Sequence, residues 1–227
     1  MNNEQKKDLT VKYEIDGNQI ELTPSIVQNY IVGAENAKIN LAEFRFFTEL
    51  CKVRKLNPFL KEAYLIKYTD KQPAQLVVGK DAILKRAVLN ENYDGMESGV
   101  IVLNKDNEVI ERKGTFYIEG VETLAGGWAR VFRKDWTHPI YSSVNFSEVS
   151  QKKGDGSLNS SWSSKKATMV EKVAKVRALR EAFVDDLSGM YEAEEFGQEI
   201  PAKPTGADKV VIEQTETESD EININDL

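Results

Sequence analysis

An α+β domain, built of antiparallel strands with packed helices and followed by a disordered acidic C-terminal tail, is the fold this sequence predicts. Three observations carry the prediction. Short β-type runs recur in pairs separated by turn residues, segments of helical period are interleaved with them, and from Gly197 onward both patterns vanish. The division that follows is an N-terminal hairpin and short helix (1–40), a core (41–196) and a tail (197–227).

VKYEIDGNQIELT (11–23) alternates around Asp16-Gly17-Asn18 and reads as a hairpin, with Pro24 opening a short helix through about Val32. Residues 33–40 form a polar loop. LAEFRFFTELCKVRK (41–55) places Leu41, Phe44, Phe47, Leu50 and Cys51 at helical spacing, and Leu56-Asn57-Pro58-Phe59 ends it, because the residue before a proline avoids the helical region. AYLIKY (63–68) and QLVVG (75–79) are strands, and 80–91 returns to helical period. Strands are expected next at 100–104, 109–114 and 116–122, then a hairpin of 128–134 with 140–146 around Asp-Trp-Thr-His-Pro. Residues 147–161 read as a polar loop, 162–183 as one helix, and a further helical turn as reaching Phe196. No internal repeat is evident.

The composition excludes several kinds of chemistry. Cys51 is the only cysteine and His138 the only histidine, so one chain holds neither a disulfide framework nor a Cys/His zinc site. Triad catalysis would have to use His138, which stands in a Thr-His-Pro turn. No phosphate-binding loop of the Gly-x-x-x-x-Gly-Lys-Ser/Thr type occurs, and no dinucleotide fingerprint. Gly126-Gly127 is a lone pair inside a strand region, which marks a bulge or close backbone approach rather than a ligand loop. Asp81 with Glu62, or Asp94 with Glu97, offers only a weak basis for a metal-dependent nuclease. No cofactor and no metal are expected. The N-terminus lacks the apolar core of a secretory signal and no run reaches membrane-spanning length, so the expected setting is cytoplasmic, away from membranes.

The net charge of −7 conceals a basic part. From Asp185 onward 13 acids face Lys203 and Lys209, whereas residues 130–180 carry eleven bases against Asp135, Glu148, Asp155 and Glu171. The densest cations lie on the expected helix 162–183. With residues about 100° apart, Met169, Val173, Val176, Leu179 and Phe183 share a face that should bury. Lys172 and Arg180 fall on the same face, Lys166, Lys175 and Arg177 line its borders, and Ala167, Ala174, Ala178 and Ala182 stand opposite. A half-buried guanidinium needs an anion, either a carboxylate of the fold or a phosphate of a ligand. Bases also neighbour aromatics elsewhere: Lys61 near Tyr64, Lys80 with Lys85 and Arg86, Arg133 and Lys134 beside Phe132 and Trp136, and Trp162 before the basic helix. That mixture suits nucleic acid, cations for phosphate and rings for bases. Each also has a bland reading, Trp162 as a packing residue at the helix entry and Lys85 and Arg86 as a solvated face.

Several islands in order, LNPFLKEAY (56–64), VVGKD (77–81), NENYDGM (90–96), FRKDWTHPI (132–140), then Trp162, Met169, Arg180, Ala182-Phe183 and Gly189-Met190-Tyr191, are similar to a known family. Over about residues 41–196 the chain resembles the phage single-strand annealing recombinases of the Red-beta/RecT family, of the Bet type. The resemblance implies an ATP-independent protein, without a catalytic centre, that binds single-stranded DNA and pairs it with its complement in phage recombination. It further implies a homo-oligomer, ring or helical filament, with single strand and annealed duplex in a basic groove. Lys61, Arg133, Lys134 and Arg180 fall on bases the family uses for phosphates. Val173 stands where some relatives carry a base, with Lys172 and Lys175 supplying charge one turn around. The candidate DNA-binding residues are therefore Lys61, Lys80, Lys85, Arg86, Arg133, Lys134, Trp162, Lys166, Lys172, Lys175, Arg177 and Arg180.

Two alternatives stay open. One is a single-stranded DNA-binding coat protein without annealing activity, the other a metal-dependent nuclease. The acidic tail, ending Ile222-Asn223-Ile224-Asn225-Asp226-Leu227, is read as a docking peptide for a companion exonuclease or host single-strand-binding protein, as a competitor for the DNA groove, or as a solubilising appendage.

Overall fold

Helix α6 (Lys166–Ala182) lies on a four-stranded antiparallel sheet, and the rest of the chain is arranged around that contact. The computed structural model describes residues 9–31, 38–67 and 72–192. The sheet has the order β6-β5-β7-β8, with β5 Tyr93–Leu103, β6 Val109–Lys113, β7 Thr123–Arg133 and β8 Ile140–Asn145. Two small hairpins accompany it, β1 (Val11–Ile15) with β2 (Asn18–Leu22) and β3 (Ala63–Ile66) with β4 (Gln75–Val78). The helices are α1 (Pro24–Ile26, continued by a π turn at Val27–Ile31), α2 (Leu41–Arg54), α3 (Lys80–Val88), α4 (Phe146–Val149), α5 (Ser160–Ser164), α6 and α7 (Val184–Leu187). The α+β class follows directly, and Tyr13, Ile15, Ile20, Leu22 and Val27 of the N-terminal hairpin and turn join the same apolar core as Phe44, Val100, Val131 and Leu179.

Local rules explain most boundaries. Ile15 pairs with Asn18 across Asp16-Gly17, both at positive φ (50° and 80°), the two-residue turn that matches strand twist. Asn40 and Glu43 form a reciprocal capping box at the start of α2, and Lys55 in the left-handed region ends it. The tyrosine hydroxyl of Tyr13 donates to the Leu56 carbonyl at 2.9 Å, tying the hairpin to the end of α2. Burial pushes the Tyr13 phenol well above its ordinary range and the neighbouring Cys51 thiol up to about 12, so both stay neutral packing groups.

Three expectations are corrected. Residues 116–122 do not form a strand: they make a turn whose shape is set by Glu122, which accepts from Arg112 Nε at 2.9 Å and from the Ile118 N–H at 2.9 Å. The helix expected over 162–183 is two helices broken at Lys165 (φ −136°, ψ 44°). Serine hydroxyls cause the break, since Ser163 and Ser164 both donate back to the Ser160 carbonyl, at 3.0 and 2.7 Å, in competition with the ladder. The loop 147–161 contains α4 and a small bridge between Lys152 and Leu158. The helical turn expected to reach Phe196, and the disordered tail, run into residues outside those described.

The alanine face of α6 is buried as fully as its apolar stripe. Ala174, Ala178 and Ala182 are each at most 2 % exposed, because that side of the helix is its seat on the sheet. The fit is backbone to backbone: a Cβ on Gly127 would lie 2.5 Å from the Val170 carbonyl oxygen. Gly126, one residue before, meets the Val144 carbonyl of the adjacent strand, and the register slips between Ile101 and Val102 opposite. The glycine pair thus serves both close approach and a bulge.

Glu43 ties α2 to the β3–β4 hairpin. Its carboxylate accepts Lys67 Nζ at 2.9 Å, the Ala74 N–H at 2.8 Å and the Asn40 N–H at 2.8 Å, with the Lys67 side chain only 4 % exposed. Burial alone would raise its pKa, but the hydrogen bonds from Asn40, Lys67 and Ala74 outweigh it and hold the carboxyl below its ordinary value.

Two stability predictions result. Gly127→Ala forces a methyl into the helix backbone and lowers stability by about 1–3 kcal/mol in urea unfolding, whereas Gly154→Ala, which meets nothing within 4 Å, leaves the midpoint unchanged. Glu43→Gln strands the buried Lys67 ammonium and costs about 3–5 kcal/mol at neutral pH. Because the folded pKa is depressed, this stabilisation is complete above the ordinary carboxylate pKa of about 4.3 and is lost as pH falls through the lower folded value. The gap between wild type and variant therefore narrows in acid, as a pH series of urea midpoints will record.

Candidate nucleic-acid interface

Seating α6 between the sheet and α3 leaves little solvent for its cations, and the fold supplies carboxylates. Lys172 Nζ lies 3.3 Å from Glu192, whose side chain is 3 % exposed. Lys175 pairs with Glu171 at 2.9 Å, one turn back, and Glu171 also accepts the Ser98 hydroxyl of β5 at 2.8 Å. Arg177 approaches Glu148 of α4 at 3.9 Å. The Arg180 guanidinium stacks over the Tyr191 ring at 4.9 Å. Lys166, in the first turn, is exposed. The anion required by the inward cations is thus a protein carboxylate for three of them in this state.

The chain after α7, which carries the Gly189-Met190-Tyr191 island but none of the candidate DNA-binding residues, is part of this site. Met190 is fully buried, the Tyr191 carbonyl accepts the Val78 N–H at 2.8 Å, and Glu192 reaches Lys172, so residues 190–192 join the end of β4 to α6. No periodic or compositional signal marks such an extended segment, and the Gly189-Met190-Tyr191 island is the one sequence feature that points to it. Its location brings Arg180 and Lys172 close to the start of α3, where Gly79 is the N-cap without a side-chain acceptor. There the Lys61 carbonyl and Gly79 are in backbone contact, and Lys61, itself at positive φ (59°), and Lys80 are both exposed. Among the described residues Lys80 Nζ is paired with Asp81, at 3.7 Å.

One turn along α3, Lys85 faces Glu62 at 3.3 Å and Asp16 at 3.6 Å, and Arg86 Nη2 donates to the Arg54 carbonyl at 2.6 Å. Arg54, another residue missed from sequence, continues the strip. Its guanidinium donates to the carbonyls of Asp185, Asp186 and Ser188 at 3.1, 3.0 and 2.5 Å, closing the C-terminal end of α7. Asn90 donates to the Asp186 carboxylate at 2.6 Å, and the backbone carbonyl of the next residue, Glu91, accepts from Lys134 Nζ at 2.9 Å. Lys61, Lys80, Lys85, Arg86, Arg54 and Lys134 therefore follow one another through linked contacts.

Two expected contacts are corrected in kind. Trp162 is 0 % exposed and packs edge-on against Phe146, ring centroids 5.9 Å apart, so it is a core residue with no face for a base. Arg133 is turned into the protein. Nε and Nη2 donate to both Asp135 oxygens at 2.9 and 2.7 Å, Nη1 donates to the Ala182 carbonyl at the end of α6, and the plane lies between the Trp136 and Phe183 rings at 4.6 and 4.9 Å. Each guanidinium nitrogen is engaged, the hydrogen bonds of the pair raising the Arg133 pKa and lowering that of Asp135. Lys134, the next residue, is exposed.

Among the described residues no group of histidine, cysteine and acids is placed to hold a metal, and no helix is long and apolar enough to cross a membrane. An α+β scaffold presenting a strip of lysines and arginines has the features of a protein that grips a nucleic-acid backbone. The RecT family model matches residues 19–207, and the chain belongs to the RecT family. It is accordingly a recombination protein of the single-strand annealing class that binds single-stranded DNA. No curated protein matches the chain significantly.

The geometry predicts opposite behaviour for two adjacent bases. Arg133→Lys loses the bidentate pair and the ring sandwich and lowers stability by about 1.5–3 kcal/mol in urea unfolding. Lys134→Ala leaves the unfolding midpoint in place and makes the salt dependence of single-strand binding shallower by about 0.7 in log–log slope, the share of one phosphate contact.

Proposed function

We propose that this protein anneals complementary DNA strands without ATP, holding them by their backbones in a basic groove that runs along a ring or helical homo-oligomer. The observation that carries the reading is the family match over residues 19–207, which spans every base of the strip described above. The exposed Lys61 and Lys80 stand beside a helix start without a side-chain cap, and first-turn N–H groups with two nearby lysines suit a phosphate. Phosphate contacts position a strand and leave base edges to be read by pairing, which is what annealing demands. In this reading Lys134 takes the phosphate role expected of both Arg133 and Lys134, while Lys172, Lys175, Arg177 and Arg180 exchange protein partners for DNA. The acidic tail is the docking segment for a companion exonuclease or host single-strand-binding protein.

Sequential addition of two complementary labelled oligonucleotides, without nucleotide triphosphate, tests the function. Wild type accelerates pairing, and the doubly substituted Lys61→Ala/Lys80→Ala variant, altered only at exposed side chains, loses about ten-fold or more in single-strand affinity at moderate salt and slows pairing in step. Tight binding of the first strand with no gain in pairing rate would instead identify a coat protein, and shortening of the labelled strand in magnesium a nuclease.

A further inference from the structure

The turn between β7 and β8 presents an indole that the binding strip does not account for. All six residues from Lys134 to Pro139 are exposed. Trp136 stands among them at 43 % exposure, while Trp128 and Trp162 are at 1 % and 0 %. One face of the Trp136 ring is covered, by the Arg133 guanidinium at 4.6 Å from its centroid. That guanidinium cannot swing away cheaply. Asp135 holds it by two hydrogen bonds, the Ala182 carbonyl by a third, and Phe183, 1 % exposed, backs it at 4.9 Å. The indole is therefore propped on a rigid stack of cation and ring that is rooted in the core at the end of α6. The same bidentate pairing neutralises Asp135, the acid beside it, and Lys134 supplies a cation on its other side in sequence.

We infer that Trp136 is a base-stacking platform for single-stranded DNA, its open ring face receiving one unpaired base while Lys134 meets the adjoining phosphate. This deepens the annealing reading and rests on it. An aromatic face beside a cation is the combination that binds unpaired bases without regard to sequence, and holding the ring in place beforehand reduces the ordering cost of binding. A base stacked flat on an indole also keeps its pairing edge free, so the platform can hold a nucleotide while its complement arrives. A solvated surface tryptophan with no role needs no arginine locked behind it.

Trp136 is the only exposed tryptophan of three, and the Trp136→Ala variant, which keeps Trp128 and Trp162, gives the background against which its emission is read. The full-length protein is titrated with a labelled thymidine oligonucleotide and with an abasic one of equal length, following anisotropy and tryptophan emission together. The thymidine strand should quench emission and the abasic strand should not. Trp136→Ala should weaken thymidine binding about ten-fold with the salt slope unchanged, and Trp136→Phe should restore most of the affinity. Lys134→Ala should flatten the salt slope while preserving the quench. Unchanged emission on saturation of wild type, or Trp136→Ala binding as well as wild type, overturns the platform and leaves backbone binding intact. Loss of self-association in Trp136→Ala, without the Trp136→Phe rescue, overturns it in favour of a protein contact. Absence of any anisotropy change with wild type rejects the annealing reading itself, and the platform with it.

Discussion

Everything else in this fold depends on the seating of α6 upon the sheet at Gly127. With the Val170 carbonyl 2.5 Å from where a Cβ would stand, the helix is as near the strands as a backbone can come. That proximity needs alanines on the helix and glycines on the strand, and sequence supplies both. It also leaves α6 buried on two sides, so cations that a surface helix would turn to water must be met locally. Glu171, Glu192 and Glu148 answer that need, and the extended segment 190–192 lies where it does because Met190 fills the core and Glu192 neutralises Lys172.

If DNA follows the strip toward α6, each phosphate exchanges with a carboxylate rather than with water. Such an exchange yields less net free energy than filling an empty site, since the cation gives up one partner for another. For an annealing protein that is an advantage. Strands held by many modest contacts can shift in register while they search for complementarity, and the self-repulsion of a cluster of unpaired cations is avoided in the free protein.

Sequence made the frame legible wherever a local rule governs. The Asp16-Gly17 hairpin, the end of α2 before Pro58, and the close approach at Gly126-Gly127 all rest on chemistry within a few residues. The failures share another cause, a partner distant in the chain. Glu122 shapes residues 116–122 through Arg112, which no alternation of hydrophobicity reveals. The alanine face of α6 reads from sequence as the one opposite the buried stripe because small residues carry little hydrophobic signal, yet they are the ones that permit the tightest seat. Trp162 and Trp136 both stand beside bases in sequence, and only the folded chain buries the first and exposes the second.

Arg133 and Lys134 put the limit of motif reading most sharply. They are neighbours, they carry the same charge, and the family resemblance gives both one role. At the end of a strand, however, successive side chains leave on opposite sides. One is carried toward the core, where only a delocalised planar cation can bond Asp135 and the end of α6 while lying between two rings. The other is carried to the surface, where a flexible ammonium suffices. Geometry thus divides a dibasic pair into a structural half and a solvent-facing half, and the structural half also fixes the indole beside it.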